Sequence, residues 1–158
     1  PVLLRRVVVT ISERFGKASL YKINSNNDYS LDYLEFLLKS ESEESSSYVK
    51  RWITDLKKLS RAEIMILFGS VLKSHDKAND IDVLIVVKAG DFKRLKNEIE
   101  RLNQINDKRI HAIYQTKEDF KKNLIKKDKI VLEAVKGIFI FGQRNFLEMM
   151  KNVRLVGG

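Results

Sequence analysis

Ile64-Met65-Ile66-Leu67-Phe68-Gly69-Ser70-Val71-Leu72-Lys73-Ser74-His75-Asp76-Lys77-Ala78-Asn79-Asp80-Ile81-Asp82-Val83-Leu84-Ile85-Val86-Val87 is the stretch that decides the fold. An apolar run ends abruptly at Gly69-Ser70, a polar loop follows, and Asp80-Ile81-Asp82 leads into a second apolar run. This pattern reads as a strand, a tight turn that can open a helix, a loop, and a strand entered through two carboxylates. Alternate strand residues point to one face, so Asp80 and Asp82 project from the same side of a sheet. Two like charges held that close call for a cation between them, and Mg²⁺ accepts carboxylate and phosphate oxygens together. A Gly-Ser turn offers what a phosphate needs: close backbone approach, free amides and a hydroxyl.

The pair Gly69-Ser70 followed by Asp80-Ile81-Asp82 resembles the signature of the nucleotidyltransferase fold of the DNA polymerase beta superfamily. Its local form, residues 68–73 and then 79–82, is most similar to the minimal nucleotidyltransferases of bacteria and archaea. The resemblance spans roughly residues 28–150. It implies that Asp80 and Asp82 hold the metal, with Mg²⁺ as the ion, and that Gly69 and Ser70 cradle the β- and γ-phosphates of ATP or another nucleoside triphosphate. Lys73 stands where the family often has arginine, and would meet phosphate as a point charge rather than a bidentate fork. Ser74 stands where the family often has glycine. Active members usually carry one more acid on the next core strand. Here that strand, residues 109–116, contains none, and Asp107 lies just before it in an expected turn. His111 has the parity to face Asp80 and Asp82. It is placed with them as a catalytic candidate, as metal ligand or base, against the alternative of a satisfied strand histidine. His75 reads as an exposed loop residue.

The 158 residues suffice for one well-buried domain with a small appendage. A 44% hydrophobic content supports a core, and the net charge of +9 favours polyanions unless it only reflects a lysine-rich, solvated surface. The sequence has no cysteine, which excludes disulfides and thiolate zinc sites. No apolar stretch nears the roughly 20 residues of a membrane span, and no secretory signal is evident. The expectation is a protein of the cytoplasm with no membrane partner.

Residues 7–12 and 18–23 are two β-prone runs joined by a glycine-containing connection, a hairpin signal. A lone hairpin is marginal in water, so it docks on or belongs to something larger. It resembles the wing of a winged-helix segment, whose recognition helices would lie upstream of Pro1; the alternative is a cover for the main domain. The expected division is therefore a hairpin at 1–27 and a nucleotidyltransferase-like domain at 28–158. Helices are expected over 29–38, where Leu31, Tyr33, Leu34, Leu37 and Leu38 form a stripe, and over 48–59 with Val49, Trp52, Ile53, Leu56 and Leu59 inward. The serine- and glutamate-rich residues 40–47 read as a loop whose serines cap the next helix. Beyond the central motif, 92–106 reads as a helix with Phe92, Leu95, Ile99, Leu102 and Ile105 inward. A strand at 109–116 is followed by helices at 117–125 and 129–136, packed through Phe120, Leu124, Leu132 and Val135. Gly137 ends the second of these, a short strand follows at 138–141, and a last helix spans 143–152 before a fraying end. The fold class is α+β, a small mixed sheet with helices packed on one face, preceded by the hairpin.

Two functions from different classes fit these features. One is nucleotidyl transfer from a triphosphate to a protein, RNA or small-molecule acceptor. By resemblance the protein-acceptor case is a toxin–antitoxin pair with a helical partner of the HEPN type, and a chain this short favours such a partner or a homodimer. The other is a catalytically degenerate nucleotidyltransferase-fold module acting as a DNA-associated regulator or partner-binding protein, which draws on the missing acid, the wing-like hairpin and the basic charge.

Overall fold

The computed structural model describes residues 9–15, 18–24, 27–59, 61–74 and 78–151, with the backbone alone for the strands before residue 24. Of the connection expected at 13–17, residues 13–15 continue the first strand and Gly16-Lys17 lie outside the described residues, as do His75, expected to be exposed, and residues 156–158, expected to fray. Strands β1 (Val9–Phe15) and β2 (Ala18–Ile23) form a two-stranded antiparallel sheet. They are followed by α1 (Asp28–Glu44), α2 (Ser47–Leu56), β3 (Ala62–Phe68), a 3-10 turn (Ser70–Leu72), β4 (Asp80–Val87) and α3 (Phe92–Ile105). The remaining described elements are β5 (Arg109–Gln115), α4 (Lys117–Ile125), α5 (Lys129–Ala134), β6 (Ile138–Phe141) and α6 (Gln143–Lys151). The order of elements is the one expected from the sequence.

The main sheet has the order β5-β4-β3-β6, with β4 and β5 parallel and the other pairs antiparallel. It is an α+β arrangement around a mixed sheet, and it is covered on both faces. The expected cover on one face is supplied by α4, α5 and α6, whose Phe120, Leu124, Val131, Ala134 and Met149 meet Ile64, Ile66, Leu84 and Val86. A second layer, α2 and α3, packs Trp52, Ile53, Leu56, Leu95 and Ile99 on Met65, Leu67, Val83 and Ile85. Burial on both faces explains why β3 and β4 read as continuous apolar runs instead of alternating ones. Trp52 is buried, as expected of a core anchor.

Four local expectations are corrected. Residues 40–44 continue α1 instead of looping. Their glutamates are good helix formers, Lys39 pairs with Glu35 one turn back, and Ser40 and Ser42 donate to carbonyls three residues earlier. Only Ser45-Ser46 connects the helices, and Ser46 does cap α2 by accepting from the Val49 amide. On α1 the inward stripe is Leu31, Leu34 and Leu38, while Tyr33 and Leu37 are exposed. At the two ends of α3, Ile105 and Phe92 are exposed, and Phe92 packs edge-on against Tyr114, at 5.0 Å between centroids. Burial, with Glu100 adding, pushes the Tyr114 phenol up to about 12, so it stays neutral. On α5 the core residues are Val131 and Ala134, and Leu132 faces a cleft instead.

Gly137 is a packing glycine. A Cβ there would strike the Leu67 carbonyl oxygen and lie 2.8 Å from the Phe68 Cβ. Both neighbours belong to β3 and cannot rotate away, so Gly137→Ala is expected to lower stability by about 1–3 kcal/mol. Gly90, with nothing near its Cβ position, is the control: Gly90→Ala should leave stability unchanged or raise it by up to about 1 kcal/mol. Thermal unfolding of both variants checks this, and equal melting temperatures would contradict it.

Candidate active site at one end of the sheet

The end of β3 and the beginnings of β4, β5 and β6 lie at one end of the sheet, because Phe68 pairs with Asp82, Asp82 with His111, and Leu67 with Ile138. Alternation puts Asp80 and Asp82 on the face of Leu84 and Val86, the side of α4–α6. His111 shares that face through the parity of Ile113. One ligand atom each from Asp80, Asp82 and His111 lie within 4.8 Å of one another. His111 Nδ1 is 2.9 Å from Asp82 Oδ1, with the imidazole 62% exposed and the carboxylate 25%. The three are therefore brought together at a solvent-accessible edge. Asp107 is exposed in the α3–β5 connection, outside this group.

Gly69 makes the arrangement possible. Its φ of 82° and ψ of −152° fall in a region that is essentially glycine-only. A Cβ on it would collide with Asp82 Oδ2 and lie 3.2 Å from Asp82 Cγ. The turn thus presses bare backbone against the carboxylate. Ser70 follows, exposed, at the head of the 3-10 turn, and Lys73 closes that turn with its amide donating to the Ser70 carbonyl. The loop before Asp80 is held by Lys108, whose Nζ donates to the Ala78 carbonyl at 2.5 Å.

Gly69 also lines a cleft of about 540 Å³, together with Phe68, Lys73, Lys129, Leu132, Lys136 and Gly137 among others. Lys73, Lys129 and Lys136 form no ion pair among the described residues, and Glu133 is the one acid of the lining. Lys129, Lys136 and Gly137 were not singled out as site residues from the sequence. Only the pairing of β6 with β3 brings the Lys136-Gly137 turn beside Gly69. The available signal was the glycine immediately before a short apolar strand. A cleft of about 490 Å³ bordered by α1 and β6 contains none of the candidate residues.

Carboxylates and an imidazole suit a divalent cation by donor chemistry, and the lysine-lined cleft beside them suits an anion. Among the described residues no helix is long and apolar enough to cross a membrane. Comparison with curated proteins gives no match, and neither does comparison with solved structures. A family model described as "Nucleotidyltransferase domain" matches residues 49–142, more than half of the chain, running from α2 through β6 and taking in the Gly69 turn, Asp80, Asp82, His111 and the cleft lysines. The chain belongs to the nucleotidyltransferase domain family.

Proposed function

We propose that this chain binds a nucleoside triphosphate, ATP or another, with Mg²⁺ and transfers its nucleotidyl group to an acceptor hydroxyl on a protein, an RNA end or a small molecule. The observation that carries the reading is the convergence of Asp80, Asp82 and His111 within 4.8 Å beside the Gly69 turn. In the transfer an acceptor oxygen bonds to the α-phosphorus, the bridging bond to the β-phosphate oxygen breaks, pyrophosphate leaves, and the hydroxyl proton passes to solvent or a base. Such chemistry needs positioning and charge neutralisation more than covalent help. Asp80 and Asp82 would hold the divalent ion, which when bound neutralises phosphate charge as a Lewis acid. Gly69 admits the phosphate chain by exposing backbone, Ser70 offers a hydroxyl, and Lys73, Lys129 and Lys136 meet the chain's negative charge from the cleft.

A second reading, a module that binds nucleotide or DNA without transfer, is favoured by one feature: β5 carries His111 where the resemblance leads one to expect an acid. Incubation with ATP labelled at the α-phosphate separates the two, because only the first leaves label on an acceptor. Trials with a candidate HEPN-type partner, with RNA and with small hydroxyl compounds identify the acceptor class, and size analysis of the same samples tests a homodimer.

Calorimetric titration with ATP and Mg²⁺ should show binding to the wild type and none to Asp80→Ala/Asp82→Ala; equal binding by both, or by neither, sinks the nucleotide-site reading. Reversing Lys129 and Lys136 to Glu should weaken ATP binding about tenfold or more per residue, the scale of a lost charge-assisted contact of about 1.5–3 kcal/mol. AMP, which lacks the β- and γ-phosphates, should lose far less, and an equal loss for both nucleotides would remove the phosphate chain from the cleft.

A further inference from the structure

We propose that the Asp80–Asp82–His111 cluster selects Mn²⁺ over Mg²⁺, with the His111 imidazole as the discriminating donor. The proposal rests on the reading that this cluster holds the divalent ion; Mg²⁺ serves there when it is the ion supplied, and Mn²⁺ displaces it when both are present. His111 Nδ1 and Asp82 Oδ1 are 2.9 Å apart, close enough to serve one ion together. Asp80 supplies a further oxygen within 4.8 Å of both.

The donor set is two carboxylates and one nitrogen. Mg²⁺ is hard, dehydrates reluctantly and draws its affinity from anionic oxygens, so a neutral imidazole gives it little. Mn²⁺ suits carboxylate and phosphate oxygens as Mg²⁺ does, and as a first-row transition ion, though the weakest binder of that series, it gains more from an imidazole nitrogen than Mg²⁺ can. The placement of His111 points the same way. Its register partner on β4 is Asp82, so strand pairing fixes its backbone next to the carboxylate. The Asp82 side chain is itself constrained by Gly69 on its other oxygen. The pair is preformed at 2.9 Å.

The test uses the full chain in four forms: wild type, His111→Asp, His111→Asn and Asp80→Ala/Asp82→Ala, each checked for folding by circular dichroism. Free Mn²⁺ is followed by its electron paramagnetic resonance signal, and bound Mn²⁺ is then displaced with Mg²⁺. The ratio of the two dissociation constants is the readout, independent of any turnover. His111→Asp should lower the Mn²⁺ preference at least about tenfold by tightening Mg²⁺, and His111→Asn should weaken Mn²⁺ about tenfold while changing Mg²⁺ little, in line with the 10–100-fold effects of altered metal-site groups. A ratio unchanged in both His111 variants overturns the proposal and leaves the nucleotide site standing. Mn²⁺ binding that is the same in the double aspartate variant as in the wild type removes the metal site itself, and the selectivity with it.

Discussion

The close contact between the Gly69 backbone and the Asp82 carboxylate is the constraint on which the rest of the site depends. Antiparallel pairing sets Phe68 opposite Asp82, so the residue after the strand end must pass over that side chain. Only a residue without a Cβ can do so, and the required backbone conformation excludes other residues a second time. Asp82 is consequently held from two sides, with Oδ2 against the turn and Oδ1 beside His111. Holding a carboxylate in one orientation before a ligand arrives reduces the ordering cost that binding would otherwise carry.

The two-faced cover of the sheet explains why the polar residues sit where they do. In β4 everything from Val83 to Val87 is buried, and so is Ile81. A carboxylate further along the strand would meet α4–α6 on one side or α2 and α3 on the other, with no water and no cation. The strand ends are the only places that tolerate charge. Four segments distant in sequence, at Gly69, Asp82, His111 and Lys136-Gly137, arrive at the same end because β3 runs antiparallel to both β4 and β6, and β4 runs parallel to β5. The helices outside the family match, α1 and α6, are joined instead by ion pairs from Arg144 to Asp32 and from Lys151 to Asp28.

Much of this was legible in the sequence, for reasons that can be named. The motif residues 64–87 carry turn chemistry, strand periodicity and charge placement in one short span, and parity alone put His111 on the face of Asp82. The face cover was half legible: apolar runs in β3 and β4 indicate burial, but nothing local says that two helix layers produce it. The loop expected at 40–47 failed because serine was weighed by its capping habit, whereas Ser40 and Ser42 satisfy themselves on their own helix. The lysine cleft was not legible at all. It depends on β6 pairing with β3 across some seventy intervening residues, and no local pattern at Lys129 or Lys136 encodes that neighbour.

A gathering of lysines does not by itself require a ligand. Unit charges about 8 Å apart in water repel by only about 0.5 kcal/mol, so an empty cationic cleft is cheap to maintain. Its meaning comes from what lies across Gly69. On one side stand Lys73, Lys129 and Lys136, and on the other two carboxylates with an imidazole. A bare polyanion such as a nucleic-acid backbone is attracted by the first group and repelled by the second. A purely cationic ligand meets the reverse. The ligand that satisfies both is an anionic chain bearing its own divalent ion at one end, and a nucleoside triphosphate has that charge distribution. The juxtaposition of the two fields, more than the strength of either, is what favours a metal–nucleotide complex over the general run of polyanions that a charge of +9 would attract.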